Sequence, residues 1–287
     1  MMKFRTACIT GILVVVFCLF FIFLLFFWEE DCPVLKKEFV PGNAWFEGEF
    51  SLRVCRPLNR TTLVRYIVPV DPATGMPVPE ASNIIFYAPF NGDAPRIRKM
   101  FPPWLRCFAE HYRYTVFTLT IEADKLIVGD AERYYIYREA GWFELIFKLK
   151  KHLEREFGLR ANPLLIVGES SGGSMAERMI AHYPERISAA AWNGGSNYTD
   201  LPVGTKSRIL ALNTEGCYGT EATARLVRHS RAAGINILHG ITQPRKGGGR
   251  IETHAPTSLA YKLMQTFITS DPEFEKLWME AGKEKCK

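Results

Sequence analysis

The stretch Leu164-Leu-Ile-Val-Gly-Glu-Ser170-Ser-Gly-Gly-Ser-Met-Ala176 constrains this chain more than any other. Leu164 to Val167 is an apolar run with Pro163 at its start, the pattern of a buried strand. Met175 to His182 reads as a helix with Met175, Met179 and Ile180 on one face, ending before Tyr183-Pro184. Between them, Gly-x-Ser-x-Gly must turn the chain sharply, with Ser170 at the apex. Such a turn strains the backbone of its central residue and brings neighbouring chain very close. Small residues permit that, here Gly168, Gly172 and Gly173. The hydroxyl is then exposed at the end of a sheet and at a helix N-terminus, where backbone N–H groups favour developing negative charge. A serine held this way can attack an acyl carbon.

The rest of the chain supplies a fitting context. Strand patterns fall at 50–55, 63–70, 84–88, 115–120, 187–192, 208–213 and 235–241, and helical patterns at 104–111, 139–157, 221–233 and 257–268. Strands alternate with helices through the second half, which implies a mainly parallel central sheet with helices on both faces. On the serine turn and this order of elements, the chain resembles α/β-hydrolase-fold serine hydrolases of the esterase and lipase kind. The resemblance covers residues 60–270. The short stretch between Trp192 and the next strand leaves no room for a large cap domain. Lys246-Gly-Gly-Gly-Arg250 lacks the ending of a phosphate-binding loop and reads as a flexible loop before His254.

The resemblance implies a catalytic triad in the chain order serine, acid, histidine. His254 lies after the last strand and before the C-terminal helix, where the family places its histidine. His182 follows the turn on the wrong side, His229 sits on a helix, and His239 lies inside a strand. The family's acid follows the strand that ends at Asn213, and this sequence has no Asp in that loop. Glu215 is the natural substitute. Glu221 and Asp200 are the alternatives, and Cys217 occupies the range where the Asp falls. By the same resemblance the oxyanion hole takes one backbone N–H from Ser171 and one from the loop after Ala88, at Phe90 or Asn91. Trp104 and the Tyr134-Tyr135-Ile-Tyr137 run read as core or surface cover rather than an acyl pocket.

Ala7 to Trp28 carries no charge and is long enough to cross a bilayer core of about 30 Å as a helix. Lys3 and Arg5 precede it and Glu29, Glu30 and Asp31 follow, which places residues 1–6 in the cytoplasm and the remainder outside. Phe26-Phe27-Trp28 is unlike a signal-peptide cleavage site, so the segment reads as an uncleaved anchor. The expected organisation is therefore a signal-anchor over 7–28, a linker over 29–50 and a hydrolase domain over 51–287. Two of the seven cysteines fall in the anchor, and the other five would meet a compartment that permits disulfides. The net charge of +6 is scattered, with no aromatic-interleaved stripe, and argues against a nucleic-acid partner. No cysteine or histidine spacing points to a metal, and no cofactor is expected.

These features together predict a carboxylic-ester hydrolase that works through an acyl-enzyme on Ser170, with a small-molecule or lipid-like acyl ester as substrate. Two alternatives stay open: a non-catalytic binding protein that keeps the fold, and an acyltransferase with the same serine and histidine.

Overall fold

The computed structural model describes residues 44–54, 60–90, 94–121, 136–195, 199–216, 219–242, 245–247, 250–252 and 257–283. All lie in one unit, Leu35–Lys287. The expected anchor at 7–28 lies outside the described residues. Among the described residues no helix is long and apolar enough to cross a membrane.

Eight strands form the main sheet: β1 (Trp45–Val54), β2 (Arg60–Pro69), β3 (Ile84–Ala88), β4 (Thr115–Leu119), β5 (Leu164–Glu169), β6 (Ile187–Asn193), β7 (Arg208–Thr214) and β8 (Ile237–Thr242). Their spatial order is β1-β2-β4-β3-β5-β6-β7-β8. β1 and β2 pair antiparallel, as do β2 and β4. From β4 to β8 all neighbours run parallel, so every carboxyl end there lies on one edge. β3, β4 and β5 are buried along their whole length, as expected of parallel strands covered on both faces.

Helices cover the two faces. One face carries α3 (Trp142–Phe157), α4 (Ser171–His182) and α5 (Thr220–Ala232). Its core includes Phe143, Ile146, Met175, Met179 and Leu226 against Ile166, Ala190 and Trp192 of the sheet. The other carries α1 (Ala94–Lys99), α2 (Pro103–Glu110), α6 (Ser258–Thr269) and α7 (Glu273–Lys283). There Ile97, Phe108, Leu263 and Phe267 meet Leu165, Val167, Ala191 and Leu212. The two sets of sheet residues alternate, following the period of two along a strand.

Several expectations need adjusting. The first strand begins at Trp45, inside the stretch read as linker, because Trp45 to Val54 pairs residue for residue with β2. Residues 246–250 were expected to form a flexible loop. Instead β9 (Arg245–Gly247) and β10 (Arg250–Glu252) pair antiparallel as a small hairpin. α1 is only six residues long, and α7, with Phe274 and Leu277 buried at helical spacing, follows the last helix read from the sequence.

Candidate active site

β5 ends at Glu169 and α4 starts at Ser171, so Ser170 alone makes the turn. Its φ of 52° and ψ of −123° lie where a serine is rarely found. Such strain persists only where surrounding structure over-determines it. The Ser170 N–H donates to the Asn193 carbonyl at 2.9 Å. The Ser170 carbonyl accepts the Gly173 N–H at 2.8 Å and the Ser174 N–H at 3.3 Å. Backbone packing closes the remaining freedom. A Cβ on Gly172 would collide with the Ala88 carbonyl oxygen, so α4 abuts the exit of β3. Gly195 has φ 72°, and a Cβ there would collide with the Ser170 carbonyl. The buried Ser174 hydroxyl donates to the Gly195 carbonyl at 2.7 Å, fixing that loop beneath the turn.

Ser170 is half-buried at the carboxyl edge of the sheet. Ser171 opens α4, where the first N–H groups of a helix have no partner within the helix. Phe90 is half-buried two residues past β3, on the segment that Gly172 touches. The turn thus has a hydroxyl, a helix N-terminus and the β3 exit side by side. That arrangement can place a nucleophile near two backbone donors.

No protein-family model matches the chain, and no curated protein matches it in sequence. Solved structures do match. An S-formylglutathione hydrolase from Staphylococcus aureus shares 8% identity, with a TM-score of 0.55 over 82% of this chain and 99% of that one. A thermostable esterase shares 16% identity, with a TM-score of 0.55 over 83% of this chain and 64% of that one. A ferulic acid esterase shares 10% identity, with a TM-score of 0.55 over 78% of this chain and 97% of that one. The chain adopts the α/β-hydrolase fold.

Within this fold the predicted site residues scatter unevenly. Ser170, Ser171 and Phe90 come together as described above. Asn91, Cys217 and His254 lie outside the described residues. The helix α6 (Ser258–Thr269) can be oriented. Arg208, at the start of β7, donates to the carbonyls of Phe267 and Ile268 at 3.2 and 3.3 Å. The C-terminus of α6 therefore sits at the amino edge and its N-terminus at the carboxyl edge. Thr257 caps that N-terminus, its hydroxyl accepting the Ala260 N–H at 3.2 Å.

Glu215 is exposed in the turn after β7, and its N–H donates to the Thr242 carbonyl at 2.9 Å. Glu221 is exposed in the first turn of α5. Asp200 instead lies 3.6 Å from Nδ1 of His229, in the last turn of α5. That end of α5 is at the amino edge, since Arg231 donates to the Ile237 carbonyl at the start of β8. His182 ends α4, about 18 Å of helix from the turn, beside Phe143. His239 is half-buried within β8. Trp104 packs on Tyr261 with centroids 4.6 Å apart and edge-on to Tyr87, as core cover. The free thiol of Cys107 is half-buried, and burial, then Glu110, raises its pKa, which makes it a poor nucleophile.

Sequence reasoning passed over the buried polar residues that flank the serine. Glu169 and Asn193 close β5 and β6 in register with one another, and Thr214 closes β7. All three are buried. The signal for Glu169 was available: it continues the alternation of Leu165 and Val167, so its side chain belongs to a covered face.

Proposed function

We propose that this chain is a serine-dependent carboxylic-ester hydrolase that works through an acyl-enzyme. The observation that carries the reading is the strained backbone of Ser170, pinned between the β3 exit and Gly195 at the carboxyl edge. Strain of this kind at a sheet edge is a cost that a purely structural turn does not need. The esterases among the solved structures it resembles favour ester over amide chemistry.

In this reading the Ser170 Oγ attacks the ester carbonyl carbon while His254 takes its proton. The N–H groups of Ser171 and of Phe90 or Asn91 stabilise the alkoxide that forms. Collapse breaks the carbon–oxygen bond to the leaving alcohol, which receives the proton from His254. Water then attacks the acyl-enzyme, gives a proton to His254, and the acid leaves as Ser170 regains its hydrogen. Glu215 orients the histidine. The substrate is a small-molecule or lipid-like acyl ester. Residues 7–28 anchor the protein in a membrane with this domain on the extracytoplasmic side. Alkaline carbonate extraction tests that point: the full-length chain stays in the pellet, and a deletion of 7–28 does not.

The exposed position of Glu215 favours a second reading, a binding protein that keeps the fold without turnover. A fluorophosphonate probe on the full-length chain separates the two. Labelling abolished by Ser170→Ala supports the hydrolase, and a sharp slowing by Glu215→Gln supports that residue as the acid. A folded wild type that does not label is the binding protein.

A further inference from the structure

β1 ends the main sheet, with β2 as its one neighbour among the described strands. The phase of the β1–β2 ladder shows which of its groups point outward. The Val70 N–H donates to the carbonyl of Ala44, just ahead of β1, at 2.9 Å. Pro69, which has no N–H to give, stands opposite Trp45. Leu63, opposite Ser51, turns its carbonyl the other way, to the Thr120 N–H at 2.8 Å. Bonded and non-bonded pairs alternate along an antiparallel ladder. The even-numbered residues of β1 therefore bond to β2, and Glu47, Glu49, Ser51 and Arg53 direct their N–H and C=O groups away from the sheet. All four of those residues are exposed.

Such an edge is a template for another strand, and proteins usually blunt it with proline, a bulge or short length. β1 is ten residues long, has no proline and keeps an unbroken register. Its guard is charge, and the charges fit a second β1. Laid antiparallel about Phe50, two copies set Glu47 opposite Arg53 and Glu49 opposite Ser51, and the two-fold axis repeats both pairs. Arg53 has no ion-pair partner among the described residues. Glu47 and Glu49 already meet Arg106 and Arg65, but their side chains stay 31% and 52% exposed, and a carboxylate accepts more than one donor. On the other face Phe50, half-buried against Tyr66 and His152, meets the Phe50 of the second copy. Other arrangements are worse. Centring on Glu49 sets that carboxylate against itself, centring on Ser51 carries Glu47 past the end of the strand, and parallel pairing in register stacks like charges.

We propose that this chain forms a two-fold dimer in which β1 pairs antiparallel with β1 of a second copy about Phe50, joining the two sheets into one. Main-chain hydrogen bonds supply the attraction, and the Glu47–Arg53 pairs fix the register. The proposal is independent of the chemistry at Ser170. Reversing the charge of Arg53 turns two attractive cross-strand pairs into two repulsive ones, which should weaken the dimer on the order of tenfold or more. A proline at Ser51 removes an outward N–H and leaves the bonds to β2 intact, so it blocks the partner strand without breaking the fold.

The test weighs the full-length chain in dodecylmaltoside by light scattering, with bound detergent subtracted, beside Ser51→Pro, Arg53→Glu and Arg53→Lys. Far-UV circular dichroism checks that each is folded. Wild type and Arg53→Lys are expected to carry two chains per particle, and Ser51→Pro and Arg53→Glu one. Register is read by treating Arg53→Lys with a carbodiimide, which joins the new amine to a carboxylate as an amide with loss of water. Residues 47 and 53 of one strand lie about 20 Å apart, so a cross-link between them found by mass spectrometry comes from two chains. That cross-link, on a band of twice the chain mass, is expected. A wild type of one chain per particle at every concentration overturns the proposal. A dimer that persists in folded Ser51→Pro and Arg53→Glu also overturns it, and puts the contact elsewhere, residues 7–28 included. A dimer without the 47–53 cross-link overturns the register.

Discussion

The two edges of the parallel sheet are built on different terms. At the amino edge, several buried hydroxyls have backbone partners. The Thr115 hydroxyl donates to the Ala81 carbonyl at 2.7 Å and the Ser207 hydroxyl to the Ile187 carbonyl at 2.7 Å. The Ser82 hydroxyl accepts the Arg160 N–H at 3.0 Å, and Arg208 covers the last carbonyls of α6. At the carboxyl edge, from β5 to β7, a serine holds a positive φ and backbone meets backbone without side chains between. The side-chain polar atoms of Asn193, Asn213 and Thr214 are buried there without hydrogen-bond partners in the protein. One sheet thus keeps its stability at one end and spends it at the other. Strain and unpaired polar groups cost stability, and hydrogen bonds elsewhere in the sheet offset that cost.

That contrast can be broken or sharpened by substitution. The largest effect belongs to Gly195→Ala, which adds a Cβ at positive φ against the Ser170 carbonyl. It should cost about 4 kcal/mol or more in denaturant unfolding and abolish labelling at Ser170. Ser207→Ala, at the amino edge, removes the hydroxyl that serves the Ile187 carbonyl. It should cost about 1–3 kcal/mol and leave the labelling rate of the folded fraction unchanged. If it slows labelling, the edges are not separable. Asn193→Leu should go the other way, gaining about 1 kcal/mol by removing an unpaired amide while slowing labelling. A loss of stability there would mean that the amide is satisfied in solution.

The smallest effect comes from Asp71, exposed in the turn that follows β2. Its carboxylate accepts the N–H groups of Ala73 and Thr74 at 2.8 and 3.0 Å. Those bonds, from Thr74 first and Ala73 next, lower its pKa below 3.8 in the folded state. A lowered folded value means that its contribution is present above the unfolded pKa and lost as pH falls through the folded one. The melting difference between wild type and Asp71→Ala should therefore be widest at neutral pH and close below the carboxylate range.

Much of the fold was legible because parallel strands announce themselves. Ile84 to Ala88 and Leu164 to Val167 are unbroken apolar runs, and Gly168 and Gly172 have no cheaper use than a tight strand-to-helix turn. Other parts were hidden for physical reasons. β1 reads poorly because Glu47, Glu49 and Arg53 punctuate an edge strand whose outer side faces water, and the Glu47–Arg106 and Glu49–Arg65 pairs are visible only once folded. The β9–β10 hairpin is a pairing between distant ends of a glycine run, with no periodic signal of its own. In the candidate site, the sharp turn at Ser170 was legible from the small residues around it. The role of its neighbours was not, because a motif names the positions that must be small and is silent about what fills the x positions. Strand alternation puts Glu169 on a covered face, but only the register shows that it lies beside Asn193.

The interlock of Gly172 with Ala88 and of Gly195 with Ser170 also has a consequence in time. β3 and β5 are neighbours in space but far apart in sequence, and the loop after β6 arrives later still during synthesis. Ser170 cannot hold its backbone angles until all three segments are docked, since each supplies a wall of the turn. Long-range pairings of this kind close late in folding. A nascent or half-folded copy would therefore carry an ordinary, unreactive serine, and any activity would switch on only with the completed sheet.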